Sequence, residues 1–169
     1  MCFYVRKITR SKWTPNENIT DVSELSADAI TNCLRTTGNS LSIWKIDSID
    51  ELKDAVLAIA SQQDRLDTID IVIIDKDKID EKNLSLTKSS GITIYKDFIN
   101  RHYDICNLTH SSLGKVALII VEYCKKNSDN VNVQRFNKTN LKEIIKEGIA
   151  NHKILITELK EKIKAEVAT

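Results

Sequence analysis

Four glycines in 169 residues, at positions 38, 91, 114 and 148, are too few and too scattered to build a phosphate cradle. Such loops need clustered glycines so that backbone amides can close on the phosphate, and neither a Walker A loop nor GxGxxG occurs. HExxH and GxSxG are missing too, which removes the commonest metallopeptidase and hydrolase signatures. Cys2, Cys33, Cys106 and Cys124 lie far apart with no CxxC pair, unlike the dense disulfide frameworks of small secreted domains, so reduced thiols are expected. Apolar runs such as VALIIV at 116–121 are far shorter than the ~20 residues that span a bilayer. The opening MCFYVRKITR sets charges where a secretory signal would need an apolar core. These absences predict a cytoplasmic protein with no membrane association, and richness in lysine, isoleucine and asparagine suggests a microbial one.

The composition, 41% hydrophobic and 29% charged, is globular rather than disordered. The length suits one domain with a helical extension: an α/β core over 1–136, then a helical segment over 137–169 packed on the core or on a partner chain. A net charge of +1 conceals segregation. Residues 1–13 carry Arg6, Lys7, Arg10 and Lys12 without an acid, whereas 47–81 hold eleven acids against four bases. A basic segment can approach nucleic acid only if the acidic stretch faces elsewhere.

Aromatic and β-branched residues predict strands at 2–8 and 41–46, and the apolar run at 69–74 predicts a strand buried on both faces. Between them, Ser26 is placed to start a helix bearing Ile30, Cys33 and Leu34, and Ser48 with Glu51 matches a capping box ahead of Leu52, Ala55, Val56 and Ile59. Gly38-Asn39 offers the positive φ that a helix stop and turn require. The residues around Pro15 read as a loop, 92–95 as a short strand, 112–126 as a buried helix and 131–136 as an edge strand, with a helix beginning near Thr139 or Asn140. The resulting β-α-β-α-β start predicts an α/β or α+β domain of two or three layers. Its sheet is expected to be short and mixed or parallel, with a mainly helical C-terminal part.

Asp75 and Asp77 follow the buried strand at once, and in open α/β sheets ligands gather beyond the carboxyl ends of strands. Paired carboxylates there are candidate metal ligands, with Mg²⁺ the cation such oxygens would hold; no other cofactor is expected. The spacing resembles the hhhhDxD element of haloacid-dehalogenase-type phosphatases and the DxD of metal-dependent nucleotidyl enzymes. Ile79 stands where the phosphatase pattern has threonine or valine, and no later lysine and acidic motif follows, so neither activity is carried over. His102, Asp104, Cys106 and His110 form the densest set of proton-transfer or ligating groups, which Cys124 would extend to a zinc site on a continuous helix. His102 and Asp104 are expected to border a ligand cleft. Arg6, Lys7, Arg10, Lys12 and Trp13 are candidates for phosphate or nucleic-acid contact, with Arg35 and Lys45 able to widen the patch.

With weak catalytic equipment and an amphipathic tail, the leading expectation is a protein-binding accessory, regulatory or immunity-type component of a multi-protein defence or toxin–antitoxin-like system. The alternatives are a metal-dependent enzyme on nucleotides or nucleic acid using Asp75 and Asp77, with His102 and Asp104 as further catalytic candidates, and a non-catalytic nucleic-acid binder using the basic N-terminal segment.

Overall fold

The computed structural model of the chain describes residues 2–14, 18–125 and 131–168. Pro15 and Lys126, assigned above to a loop and a helix end, lie outside the described residues. Six strands form one sheet: β1 (Phe3–Ile8), β2 (Leu41–Ile46), β3 (Ile69–Asp75), β4 (Ser85–Lys88), β5 (His102–Cys106) and β6 (Val133–Phe136). Their order across the sheet is β4-β5-β2-β1-β3-β6. Every neighbouring pair is antiparallel. The mixed or parallel sheet expected from the β-α-β-α-β start is therefore corrected to an all-antiparallel sheet, and the class is α+β. Three strands follow residue 81, one of them within the edge strand expected at 131–136, and helices occupy Lys138–Ala150 and Glu161–Ala168 beyond them.

The reason lies in strand placement. β2 and β3 do run the same way and are joined by helix α3 (Leu52–Ala60), but β1 occupies the seat between them and pairs antiparallel with both. Helix-linked strands suggest parallel neighbours only when nothing is inserted between them. β3 reads as doubly buried because helices cover both faces of this sheet, a condition more usual for parallel sheets.

Side-chain alternation divides the interior into two cores. One contains Val5, Trp44, Ile46, Ile69, Ile71 and Ile73, packed against α3 and against α6 (Lys138–Ala150) and α7 (Glu161–Ala168) through Leu141, Ile145, Ile163 and Val167. The other contains Tyr4, Ile43, Val72 and Ile74, beneath α1 (Arg10–Trp13), α2 (Ala27–Cys33), α4 (Lys76–Glu81) and α5 (His110–Cys124). The result is three layers. Reciprocal capping boxes start two of the helices, Thr109 with Ser112 at α5 and Asn137 with Asn140 at α6. Each satisfies two otherwise orphaned amides. The box expected at Ser48 does not form. A 3₁₀ turn at Ile49–Glu51 precedes α3, and the Asp47 amide donates instead to Glu51 Oε2 at 2.8 Å.

The stretch 92–95, expected as a strand, is irregular, and Ile92 is 85% exposed. The strand lies later, at β5, where His102 and Asp104 alternate with Tyr103 and Ile105. Among the described residues no helix is long and apolar enough to cross a membrane.

Candidate functional site

The β1–β2 ladder is shorter than its neighbours. It runs from Phe3↔Ile46 to Val5↔Trp44 and stops, whereas β1 stays paired with β3 as far as Ile8↔Asp70 and β2 with β5 as far as Leu41↔Ile105. Beyond Val5 and Trp44 the sheet thus divides, leaving backbone carbonyls that need donors. The guanidinium of Arg6 fills the gap. Its Nη1 donates to Ser42 O at 2.6 Å, while Nε and Nη2 donate to Cys33 O at 3.0 and 2.6 Å, tying β1 to β2 and to the end of α2.

A cleft of about 730 Å³ opens at this division. An adjoining space of about 320 Å³ shares Arg6, Ser42, Trp44 and Ile59 with it and adds Lys7. Ile59 and Gln62 of α3 supply one wall. Opposite, Gly38 and Asn39 both adopt positive φ in a tight turn closed by reciprocal Thr37–Ser40 backbone bonds, the geometry their sequence predicts. That turn presents Thr37 and Ser40 to the cleft beside Arg35.

The remaining wall is built on β5. Pairing Trp44↔His102 and Ser42↔Asp104 puts both polar side chains of β5 on the cleft side, with Ser42 Oγ donating to Asp104 Oδ1 at 3.2 Å. His102 is buried, lies edge-on to Trp44 with ring centroids 4.9 Å apart, and its Nδ1 is 2.7 Å from Ser89 Oγ. Burial holds its pKa below the ordinary imidazole value although Asp104 pulls the other way, so the ring is neutral at pH 7. Gly91 lies directly over this pair: a Cβ there would fall 2.8 Å from His102 Cβ and closer still to the Trp44 ring. Thr93 Oγ1 fastens the same segment to α3 by donating to Ala58 O at 3.2 Å.

Charge in the cleft is unbalanced. Arg6 and Arg35 line it and Lys7 the adjoining space, and none makes an ion pair with a described residue; among the described residues Asp104 is the one acid on these walls. Burial lowers the Arg6 guanidinium to about 10, which leaves it protonated at neutral pH. Burial also lowers the Lys7 ammonium, with Asp67 opposing. A protonated fork held on two carbonyls, with no carboxylate beside it, is an acceptor-seeking group.

Arg6, Lys7, His102 and Asp104 are thus brought together. Asp75 and Asp77 are not. Because β3 is antiparallel to β1, Asp75 pairs with Phe3, at the end of β1 opposite the cleft. Its Oδ2 accepts from Tyr123 Oη at 2.7 Å and from Asn132 Nδ2 at 3.4 Å, and burial, reinforced by this bond, pushes the Tyr123 phenol well up. Asp77 is exposed on α4. Among the described residues no three His, Cys, Asp or Glu side chains assemble that could hold a metal ion.

The other candidates scatter. Lys12 pairs with Asp28, Arg10 uses its amide to reach Asp70 Oδ2 at 2.9 Å, and Trp13 is fully buried, so its ring offers no stacking surface. Lys45 is paired with Asp47. Cys106 Sγ contacts Thr87 Oγ1 at 3.2 Å, His110 is exposed at the start of α5, and Cys124 is buried with its thiol pushed up to about 11 by burial. All four cysteines are free. Ser42, Trp44, Ser89 and Gly91 were not marked by sequence; the alternation of His102 and Asp104 with Tyr103 and Ile105 is the signal that points to the β5 wall.

No family model, no curated protein and no solved structure matches the chain.

Proposed function

We propose that this chain is a cytoplasmic binding protein, of the accessory or regulatory kind, whose cleft receives a small anionic ligand. One observation carries the reading: Arg6 and Arg35 line a cleft of about 730 Å³ and make no ion pair with a described residue, and among the described residues Asp104 is the one acid lining it. The half-buried Arg6 guanidinium, held on carbonyls rather than a carboxylate, is completed by an anion, and the exposed Arg35 adds charge at the cleft. The volume falls in the range of small-molecule pockets, ~300–1,000 Å³. His102 lines the same cleft, with Nδ1 engaged by Ser89 and its other nitrogen open to a ligand.

Calorimetry and thermal shift with inorganic phosphate, sulfate and citrate test this. Saturable stabilisation that weakens in Arg6→Met and in Arg35→Met is expected. No saturable response to any of the three anions at millimolar concentration overturns the reading.

A second reading, docking on another protein chain, is favoured by Leu155 and Ile156, which are 53% and 42% exposed in the connection between α6 and α7. Light scattering of the wild type and a Leu155→Lys/Ile156→Lys variant tests self-association through this surface. A monomer at all concentrations overturns the homo-oligomeric form of it.

A further inference from the structure

Resting on the anion-binding reading above, we infer that the ligand is a phosphomonoester carrying hydroxyl groups beside the phosphate, as in a pentose phosphate or a nucleoside monophosphate, and that Asp104 selects for those hydroxyls. The donor set suits a phosphoryl group. A guanidinium has five N–H groups, and Arg6 commits three of them to Cys33 O and Ser42 O. The other two make no hydrogen bond to a described residue, and Arg35 and Ser40 line the same cleft. Tetrahedral oxygens can engage donors arriving from several directions, which a planar carboxylate cannot match as fully.

Asp104 has opposite demands. An ionised carboxylate only accepts hydrogen bonds, through about four lone-pair sites, and Asp104 has one of them occupied by Ser42 Oγ. A second anionic group placed there would be repelled, so a dianion such as a dicarboxylate gains at Arg6 and loses at Asp104. Ligand hydroxyls satisfy Asp104 without that penalty. His102 sits two residues away on the same strand face, with Nδ1 engaged by Ser89 and its other nitrogen left to discriminate further. Ile59 and the strongly exposed Ile92 add apolar lining to the same cleft, able to receive the body of a sugar or a base. A polyanionic nucleic acid fits less well, because three bases line the joined spaces and Asp104 lies among them.

Isothermal titration of the full chain with inorganic phosphate, ribose 5-phosphate, adenosine 5′-monophosphate and succinate tests the inference. Ribose 5-phosphate is expected to bind at least about tenfold tighter than inorganic phosphate or succinate. Asp104→Asn is expected to reverse part of that order, tightening inorganic phosphate and weakening ribose 5-phosphate. Tighter binding of the nucleotide than of ribose 5-phosphate assigns the apolar wall to a base, and equal binding assigns the ligand to the sugar phosphates. Equal affinity of the wild type for inorganic phosphate and both organic phosphates overturns the inference while leaving an anion site intact. Since that comparison uses the wild-type protein, it decides the matter even if Asp104→Asn fails to fold. Loss of every anion signal overturns the underlying reading as well.

Discussion

Replacing Arg6 with methionine keeps the apolar length of the side chain and removes the fork that bridges the divided sheet. Three hydrogen bonds disappear, two of them to the single oxygen of Cys33. Bonds from a charged donor are worth ~1.5–3 kcal/mol each, and loss of a partner costs most where water cannot enter. The Ser42 side is exposed, so water replaces that bond at small cost; the Cys33 side is partly buried. Release of a guanidinium that burial holds down at about 10 returns part of the loss. The net expectation is destabilisation of about 2 kcal/mol, which in a domain of this size lowers Tm by ~4–8 °C. Urea and thermal unfolding of wild type, Arg6→Met and Arg6→Lys, each with and without phosphate, measure it. The lysine variant should fall between the other two, because it keeps the charge and loses the planar fork. If Arg6→Met is as stable as wild type, Arg6 does not bridge the sheet; if it also binds phosphate as tightly, Arg6 has no part in the cleft.

Gly91→Ala sets a methyl group against Trp44 and His102 Cβ, and overpacking of this sort costs ~1–3 kcal/mol; a lower Tm with altered tryptophan fluorescence is the expected result. Asp70 is buried, takes both Nε and Nη2 of Arg135 on its two oxygens and accepts the Arg10 amide, so Asp70→Asn should lower stability by about 2 kcal/mol in urea titration. Burial raises the pKa of Asp70, but these bonds outweigh it and the net shift is downward. Its stability contribution is therefore present above the unfolded value of 3.8 and lost as pH falls through the lower folded value, a decline that Asp70→Asn should flatten. Anion affinity should rise as pH falls toward the lowered pKa of the free His102: burial holds that ring neutral, a bound anion favours its protonated form, and the proton is taken up on binding. Calorimetry in buffers of different ionisation enthalpy measures that uptake, and His102→Gln should abolish it.

Local chemistry was legible in the chain. Alternating and β-branched residues marked β1, β2 and the doubly buried β3; the apolar stripe through Val116 and Ile120 marked α5; Gly38-Asn39 marked the turn that now carries one wall of the cleft. His102 and Asp104 were recognised as cleft residues, although the strand that holds them was hidden by a cluster of polar residues that fits neither a clean helical nor a clean strand period. Arg6 was read as one phosphate-contact candidate among the N-terminal bases, because a sequence does not reveal which lysine or arginine meets unpaired carbonyls.

What tertiary structure alone decided was the seat of β1 between β2 and β3. Capping, turn geometry and side-chain alternation act over a few residues and leave their mark in the chain, whereas strand order depends on which distant backbone groups satisfy one another. That order sent the carboxyl ends of β1 and β3 to opposite sides, carrying Asp75 away from Arg6. It also left the β1–β2 ladder unfinished, and the cleft exists where those hydrogen bonds stop.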